Sequence, residues 1–351
     1  MSENIIVKAD KLLAYCTALF KSTGMPENEA FINADNLVDA DLKGHPSHGV
    51  SRMPIHLKRI RLGCIKIESE LKTVSDGPSV AVYDACNSMG PSVSVKAMAY
   101  AMEKAKKTGI SFVTVKNSNH YGTAGYYVEP AIKQGMIGIS MTNTPARMAP
   151  WGSKDPYFGT NPFAVGIPAD KELPILADMA TTLVARGKIM IAAQNKQQIP
   201  LGWGMTVEGE PTTDPNEALK GSVAPFGNYK GSAISLLINV LTGMLSGSSF
   251  GSHIKDMYAD FDSGTETSHA FGAINIDAFI PADLFRTSID RMIVEIKKSS
   301  FAKNSTDIFL PGEIELRNRE RRLKEGVPLT QAIIDDLKRE GELCKVPFTL
   351  C

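Results

Sequence analysis

Two short polar segments hold three of the six histidines in this 351-residue chain. The first, GHPSHGVSR (44–52), carries His45 and His48 with Arg52 close behind. The second, NSNHYGTAG (117–125), places His120 just after the apolar run ISFVTV (110–115). An imidazole titrates near neutral pH and can exchange a proton during a reaction. An arginine can grip a carboxylate through two parallel N–H donors. The combination suggests acid/base chemistry on a small carboxylic acid. Each residue also has a plainer reading. His120 can be a turn residue, His45 and His48 loop residues, and Arg52 half of a surface ion pair.

Further polar clusters sit at the ends of apolar runs, where α/β proteins usually bind ligands. TNTPARMAPWG (142–152) contributes Thr144 and Arg147, FGTNPF (158–163) the run Gly159-Thr160-Asn161, and DMATT (178–182) Asp178. Asp178 can orient a ligand or serve as a turn or cap residue. PFGNYKGSAIS (225–235) sets Gly227, Lys230 and Gly231 at the start of a long helix. Free N–H groups at such a start, with a lysine beside them, suit an anion. The spacing GxGxxG after a strand is absent, as are the P-loop, HExxH and GxSxG patterns. Spacing by itself therefore gives no nicotinamide fingerprint.

The elements that must position these residues fall into two kinds. KADKLLAYCTALFKSTG (8–24) and PENEAFINADNLVDADLKG (26–44) show helical spacing with glycine stops. VPLTQAIIDDLKREGELC (327–344) has the same character, with Thr330 as its expected N-cap. SVAVYDA (79–85), ISFVTV, MIGISMT (136–142), FAVGIP (163–168), PILADMA (174–180) and GAINIDAF (272–279) are β-rich. Helical segments (92–109 and 126–135) lie between some of them, which predicts a layered α/β lobe. The expected organisation is a helical lobe from residues 1–75 plus 290–351 and an α/β lobe over 76–289. SAISLLINVLTGMLSG (232–247) is too short and too glycine-rich for a membrane span and reads as a buried helix.

Composition narrows the function classes. Lys+Arg and Asp+Glu are both 38, so the chain has no general attraction for nucleic acid or anionic membrane. The five cysteines (16, 64, 86, 344 and 351) form no CxxC, which speaks for a reducing compartment and against a structural metal site. The start, MSENIIVKADKLL, lacks the apolar core of a secretory signal, so a cytoplasmic protein is expected.

SHGVSR, SNHYGTAGYY, GTNPFAVGIP, DMATT, PTTDP, NYKGSAISLLINVLTGMLSG, AFIPADLF and LPGE (310–313) occur in an order that resembles the type 2 malate/L-lactate dehydrogenase family. The resemblance covers nearly the whole chain. It implies an α/β, non-Rossmann NAD(P)-binding fold of the L-sulfolactate dehydrogenase type, working as a homodimer. By motif it implies that His120 is the acid/base and that His48 and Arg52 are substrate-site residues; on their chemistry, Arg52 is the candidate to hold the carboxylate and His48 the runner-up base. Thr144, Asp178, Met179, Ala180, Lys230, Pro311, Gly312 and Glu313 resemble cofactor contacts. Tyr121 and the Gly-Thr-Asn run are neighbours without an assigned role. The implied reaction is hydride exchange between NAD or NADP, NAD being favoured, and a 2-hydroxy acid. L-malate leads, with Arg147 as one source of a second cation. Ureidoglycolate or L-lactate is the alternative, MYADF (257–261) resembling the ureidoglycolate branch. A non-catalytic nucleotide-binding protein is the reading from another class. One departure stands out: the family usually has two glycines before the tyrosine of GNYKG, and Asn228 occupies one of those places.

Overall fold

The structure, a computed structural model, describes residues 4–350. The chain begins with β1 (Ile5–Val7) and the helices α1 (Ala9–Lys21), α2 (Glu27–Lys43) and α3 (Met53–Arg61). Helix α1 forms because Leu12, Tyr15, Cys16, Leu19 and Phe20 recur at three- and four-residue steps and are all buried. Helix α2 stops at Gly44, which takes φ 95° and lets the His45 N–H reach back to the Ala40 carbonyl at 2.8 Å.

The strands and helices of the central layers follow. They are β2 (Lys72–Asp76), β3 (Val80–Asp84), α4 (Gly90–Thr108), β4 (Ile110–Ser118), α5 (Gly125–Lys133), β5 (Met136–Thr142), β6 (Phe163–Ile167) and β7 (Ile175–Met179). After them come α6 (Arg186–Gln194), β8 (Gly204–Met205), β9 (Pro211–Thr212), α7 (Pro215–Lys220), β10 (Ser222–Val223) and α8 (Tyr229–Asn239). The chain then runs through β11 (Thr267–Asn275), α9 (Ala282–Lys297), α10 (Glu313–Glu325), β12 (Val327–Leu329) and α11 (Gln331–Cys344). Thr330 caps α11 as expected, its hydroxyl accepting from the Ile333 N–H.

Seven strands form one mixed sheet in the order β2-β3-β4-β11-β5-β6-β7, in which only β3 and β4 run parallel. Late strand β11 is inserted between β4 and β5 and pairs with both along its length. Helices α4 and α5 pack on the sheet through Val93, Ala97, Ala101, Tyr127, Val128 and Ala131. A second cluster joins the two chain ends: Leu12, Leu19 and Phe20 meet Val327, Leu329 and Leu337. A third, smaller cluster surrounds β8–β10. Strand β2 and helix α9 run through residues 75 and 290, so regular elements cross both of the expected seams.

Helix α2 is tied to the central layers by charge as well as apolar contact. The Lys43 ammonium is buried between Asp39, at 2.5 Å, and Glu129 of α5, while Arg319 of α10 binds Asp39 at 2.9 Å. A buried charge is tolerable only with partners of this kind. No helix among the described residues is long and apolar enough to cross a membrane.

Candidate active site

The register of the sheet gathers the polar motifs at one edge. Ser118 pairs with Thr267, Thr142 with His269, Met141 with Phe163, and Phe163 with Met179. The loops after β4, β5 and β7 and the loop before β6 therefore share one rim. Backbone bonds stitch it together: Thr181 donates to the Thr160 carbonyl at 2.8 Å, and Phe226 to the Thr181 carbonyl at 3.0 Å. Asn161 spans the loop, accepting from the Thr144 N–H at 3.0 Å and donating to Ser235 of α8. The Gly-Thr-Asn run thus acts as a structural rivet that holds Thr144 against the middle of α8.

His120 lies between two other histidines. The His48 ring stacks on it at 5.8 Å and 24°, and the His56 ring lies at 5.8 Å and 40° on another side. His56, on α3, is 2% exposed, and its Nδ1 has no hydrogen-bond partner. His48, Arg52 and His56 follow one another at four-residue spacing, a signal present in the sequence that no motif marks. His48 Nδ1 meets the Ser47 hydroxyl at 3.0 Å, Arg52 Nε donates to the Ser47 carbonyl at 2.6 Å, and Arg52 Nη1 donates to the Tyr258 hydroxyl. Burial, reinforced by the Arg52 charge, pushes His48 and His56 down to about 3. Burial, then Arg52 and the flanking histidines, hold His120 well below its ordinary value. All three rings are neutral at pH 7. The Gly122 N–H donates to His120 Nδ1 at 3.4 Å, a contact that must open when that nitrogen carries a proton.

Arginines and two carboxylates, Asp256 and Asp260, complete the surroundings. Arg59 is buried and donates to the carbonyls of Met257 and Ser263, at 3.2 and 2.7 Å, and to that of Asp260. It thereby fixes the loop that carries Asp256 and Tyr258. Asp256 is ion-paired with Arg147, so the cation expected to be available for a second anion is already answered. Arg186 of α6 stands near this pair, and burial and the Arg147 charge lower its proton affinity. Arg59, Arg186 and the buried His269 lie outside any motif. His269 is a structural ring, bound at both nitrogens by Thr142 and Ser118 at 2.8 Å and stacked on Tyr121 at 4.5 Å. Tyr121 is accordingly a core residue of the sheet.

A cleft of about 340 Å³ opens at the ends of the two histidine-bearing loops, with none of the three clustered rings in its lining. Asp178, Met179, Pro311 and Gly312 line it together with Thr123 and His45, each three residues from a histidine of the cluster. The Pro311 carbonyl accepts from the Leu176 N–H at 2.9 Å. Gly312, at φ 86°, passes so close that a Cβ would stand 2.6 Å from the Leu176 Cβ. Asp178 accepts from the Gly125 N–H at 2.7 Å, which fixes the start of α5, and burial raises its proton affinity. The Glu313 carboxylate is turned to Lys297, at 2.7 and 2.8 Å, and to Arg317, so its side chain does not line the cleft. Ala180 and Thr144 lie on the adjoining rim, and Lys230 is exposed in the first turn of α8. Among the described residues no group of three or more His, Cys, Asp or Glu is placed to hold a metal ion.

The sequence profile of malate/L-lactate dehydrogenases matches residues 7–338. The chain belongs to the malate/L-lactate dehydrogenase family. A malate/(S)-sulfolactate dehydrogenase from Methanothermus fervidus is 38% identical over 345 residues, covering 98% of this chain and 100% of that protein. The solved sulfolactate dehydrogenase from Methanocaldococcus jannaschii has a TM-score of 0.92 at 38% identity, over 97% of this chain and 98% of that one. The malate dehydrogenase from Pyrococcus horikoshii OT3 gives 0.91 at 35%, over 99% and 100%. The expected L-sulfolactate dehydrogenase type of fold is borne out.

Two features of α8 bear on what sets this malate/L-lactate dehydrogenase family member apart. Asn228 has φ 60° and ψ −121°, which is not the left-handed helical conformation that asparagine tolerates but a region that favours glycine more strongly. Restoring glycine there, Asn228→Gly, is expected to raise stability by roughly 1 kcal/mol, the cost of one strained residue; the urea midpoint reads it. The 232–247 helix is buried on one face only, through Ser235, Ile238, Asn239 and Thr242. Leu236, Leu237, Met244 and Leu245 are all exposed, Leu237 at 56%, so one flank of the helix presents an apolar face.

Proposed function

We propose that this chain catalyses reversible oxidation of L-malate to oxaloacetate, with NAD as the preferred cofactor. The observation that carries the substrate reading is the excess positive charge around Asp256, in a cluster that Arg52 links to His120. With Arg59 set against Asp260 and three carbonyls, Arg52, Arg147 and Arg186 are left facing Asp256. That balance suits an acid with two negative charges. L-lactate and ureidoglycolate carry one each and would leave a guanidinium unanswered. Sulfolactate, with a carboxylate and a sulfonate, is the second dianionic reading.

Arg52 holds the carboxylate next to the reacting carbon through its guanidinium fork. Neutral His120 accepts the hydroxyl proton in oxidation and returns it in reduction. His48, engaged by Ser47, supports the ring of His120. The residues around the 340 Å³ cleft fit a nicotinamide cofactor. Apolar Leu176, Met179 and Phe309 suit a flat ring, and Asp178 offers a polar handle. Lys230, exposed in the first turn of α8, is the lysine offered to a phosphate. The chemistry that a bound nicotinamide supplies is hydride exchange with C2 of the acid. Asp178 and Glu315 line the cleft, and its one lysine, Lys43, is held by two carboxylates. That balance disfavours an extra phosphate and supports NAD over NADP.

The deciding experiment follows nicotinamide absorbance with NADH or NADPH and a panel of oxaloacetate, sulfopyruvate and pyruvate, with ureidoglycolate run in the oxidative direction. Fastest reduction of oxaloacetate with NADH is expected. Fast turnover of a monoanion alone would replace the substrate, and bound cofactor with no turnover at all would favour a non-catalytic nucleotide-binding protein.

We propose in addition a cytoplasmic homodimer of two-lobed subunits. The apolar flank of α8 supports the dimer, since a face of this kind on a folded protein usually meets a partner. Leu237→Glu is expected to halve the mass seen by light scattering. An unchanged mass would move the interface elsewhere.

A further inference from the structure

Two arginines stand beside Asp256, and only one is answered by it. Arg147 is ion-paired with this carboxylate and also donates to the Ala146 carbonyl at 3.0 Å. Arg186 makes one hydrogen bond, to the Leu219 carbonyl at 3.3 Å, and among the described residues has no carboxylate within ion-pair distance. It is nevertheless partly buried. A guanidinium so placed loses hydration without gaining a counter-charge, and it stays protonated.

The surrounding bonds fix where Arg186 stands. The next residue, Gly187, lies against Ser47, its added Cβ falling 3.6 Å from that of Ser47. Ser47 is the residue that holds both His48 and Arg52. On the other side, the Arg147 carbonyl accepts from the Val223 N–H at 2.9 Å, four residues beyond the carbonyl that Arg186 binds. Arg186 is thus bracketed by the Arg52 loop and the Arg147 loop. Apart from Arg59, which stands by Asp260, Asp256 offsets one of the three positive charges, and two remain.

We propose that Arg186 binds the far acidic group, carboxylate or sulfonate, of a dianionic 2-hydroxy acid and so sets the substrate class. Arg147 with Asp256 forms the fixed wall beside it. The inference rests on the hydride-transfer reading above and deepens it. Arg52 takes the carboxylate beside the reacting carbon, and the second acid completes the charge balance at Arg186. A monoacid satisfies Arg52 only.

The test compares wild type with Arg186→Gln and Arg186→Lys, using oxaloacetate and pyruvate as paired substrates. Arg186→Gln is expected to raise KM for oxaloacetate about 10- to 100-fold, the range for a charged hydrogen bond, with kcat less affected. The ratio of kcat/KM for oxaloacetate over pyruvate falls at least about tenfold, and lysine restores part of it. Equal losses on both acids, or an unchanged ratio, overturn the proposal. A turnover-free readout runs alongside: malonate, compared with acetate, raises the melting temperature of wild type but not of Arg186→Gln. If wild type reduces no 2-keto acid yet this malonate difference holds, the anion site stands and the hydride-transfer reading falls. If oxaloacetate is reduced and both readouts ignore the Gln change, the hydride-transfer reading stands and the Arg186 assignment falls.

Discussion

His120→Ala is expected to lower turnover by roughly 10² or more while the protein still folds, within the usual range for losing a general base. The ring sits between His48 and His56, at 5.8 Å from each. Its loop does not depend on it. The Asn119 side chain donates to the carbonyls of Asn87 and Ser88, at 3.3 and 3.0 Å, and accepts from the Thr265 N–H at 3.2 Å. Melting temperature and kcat together separate a lost base from a lost fold. The pH profile adds a sign. Because the proton affinity of His120 is depressed, its neutral form persists below the ordinary value of 6.5. For oxidation, kcat/KM should stay level as pH falls to 6.5 and decline only below it. Near-normal turnover in the variant would pass the base role to His48.

Arg52→Lys should raise the Michaelis constant for the productive acid by about 10- to 100-fold, with a smaller effect on kcat. The guanidinium does two jobs at once. Nε is anchored on the Ser47 carbonyl and Nη1 on the Tyr258 hydroxyl, which aims the rest of the fork. An ammonium keeps the charge but cannot hold both anchors and still offer two parallel donors. Michaelis constants unchanged for every acid turned over would take the carboxylate role away from Arg52.

Local patterns were legible in the chain; long-range neighbours were not. The apolar steps of α1, the glycine stop at Gly44 and the Thr330 cap are short-range signals, and each is present in the structure. The insertion of β11 between β4 and β5 depends on pairings more than a hundred residues apart, such as His269 with Thr142. Nothing in the nine residues of β11 announces it. The same holds for the site. His48, Arg52 and His120 announce themselves by residue type and loop chemistry. Arg59 and Arg186 matter because of which carbonyls and charges the fold sets around them. The apolar helix of 232–247 misleads for a related reason, because apolar composition does not say whether the covering surface comes from the same chain.

The pairing of β1 with β12 has a consequence for how the enzyme is made. Val7 finds its partner in Val327, and Tyr15 donates to the Leu337 carbonyl. At about 5–20 residues per second of synthesis, a strand some 320 residues upstream waits roughly 16–64 s for its neighbour. Through that interval Leu12, Leu19 and Phe20 lack the apolar cover that the far end of the chain provides. The N-terminal segment that packs on the far end of the chain is thus translated early and matures late. That leaves a window in which chaperones and aggregation compete for it.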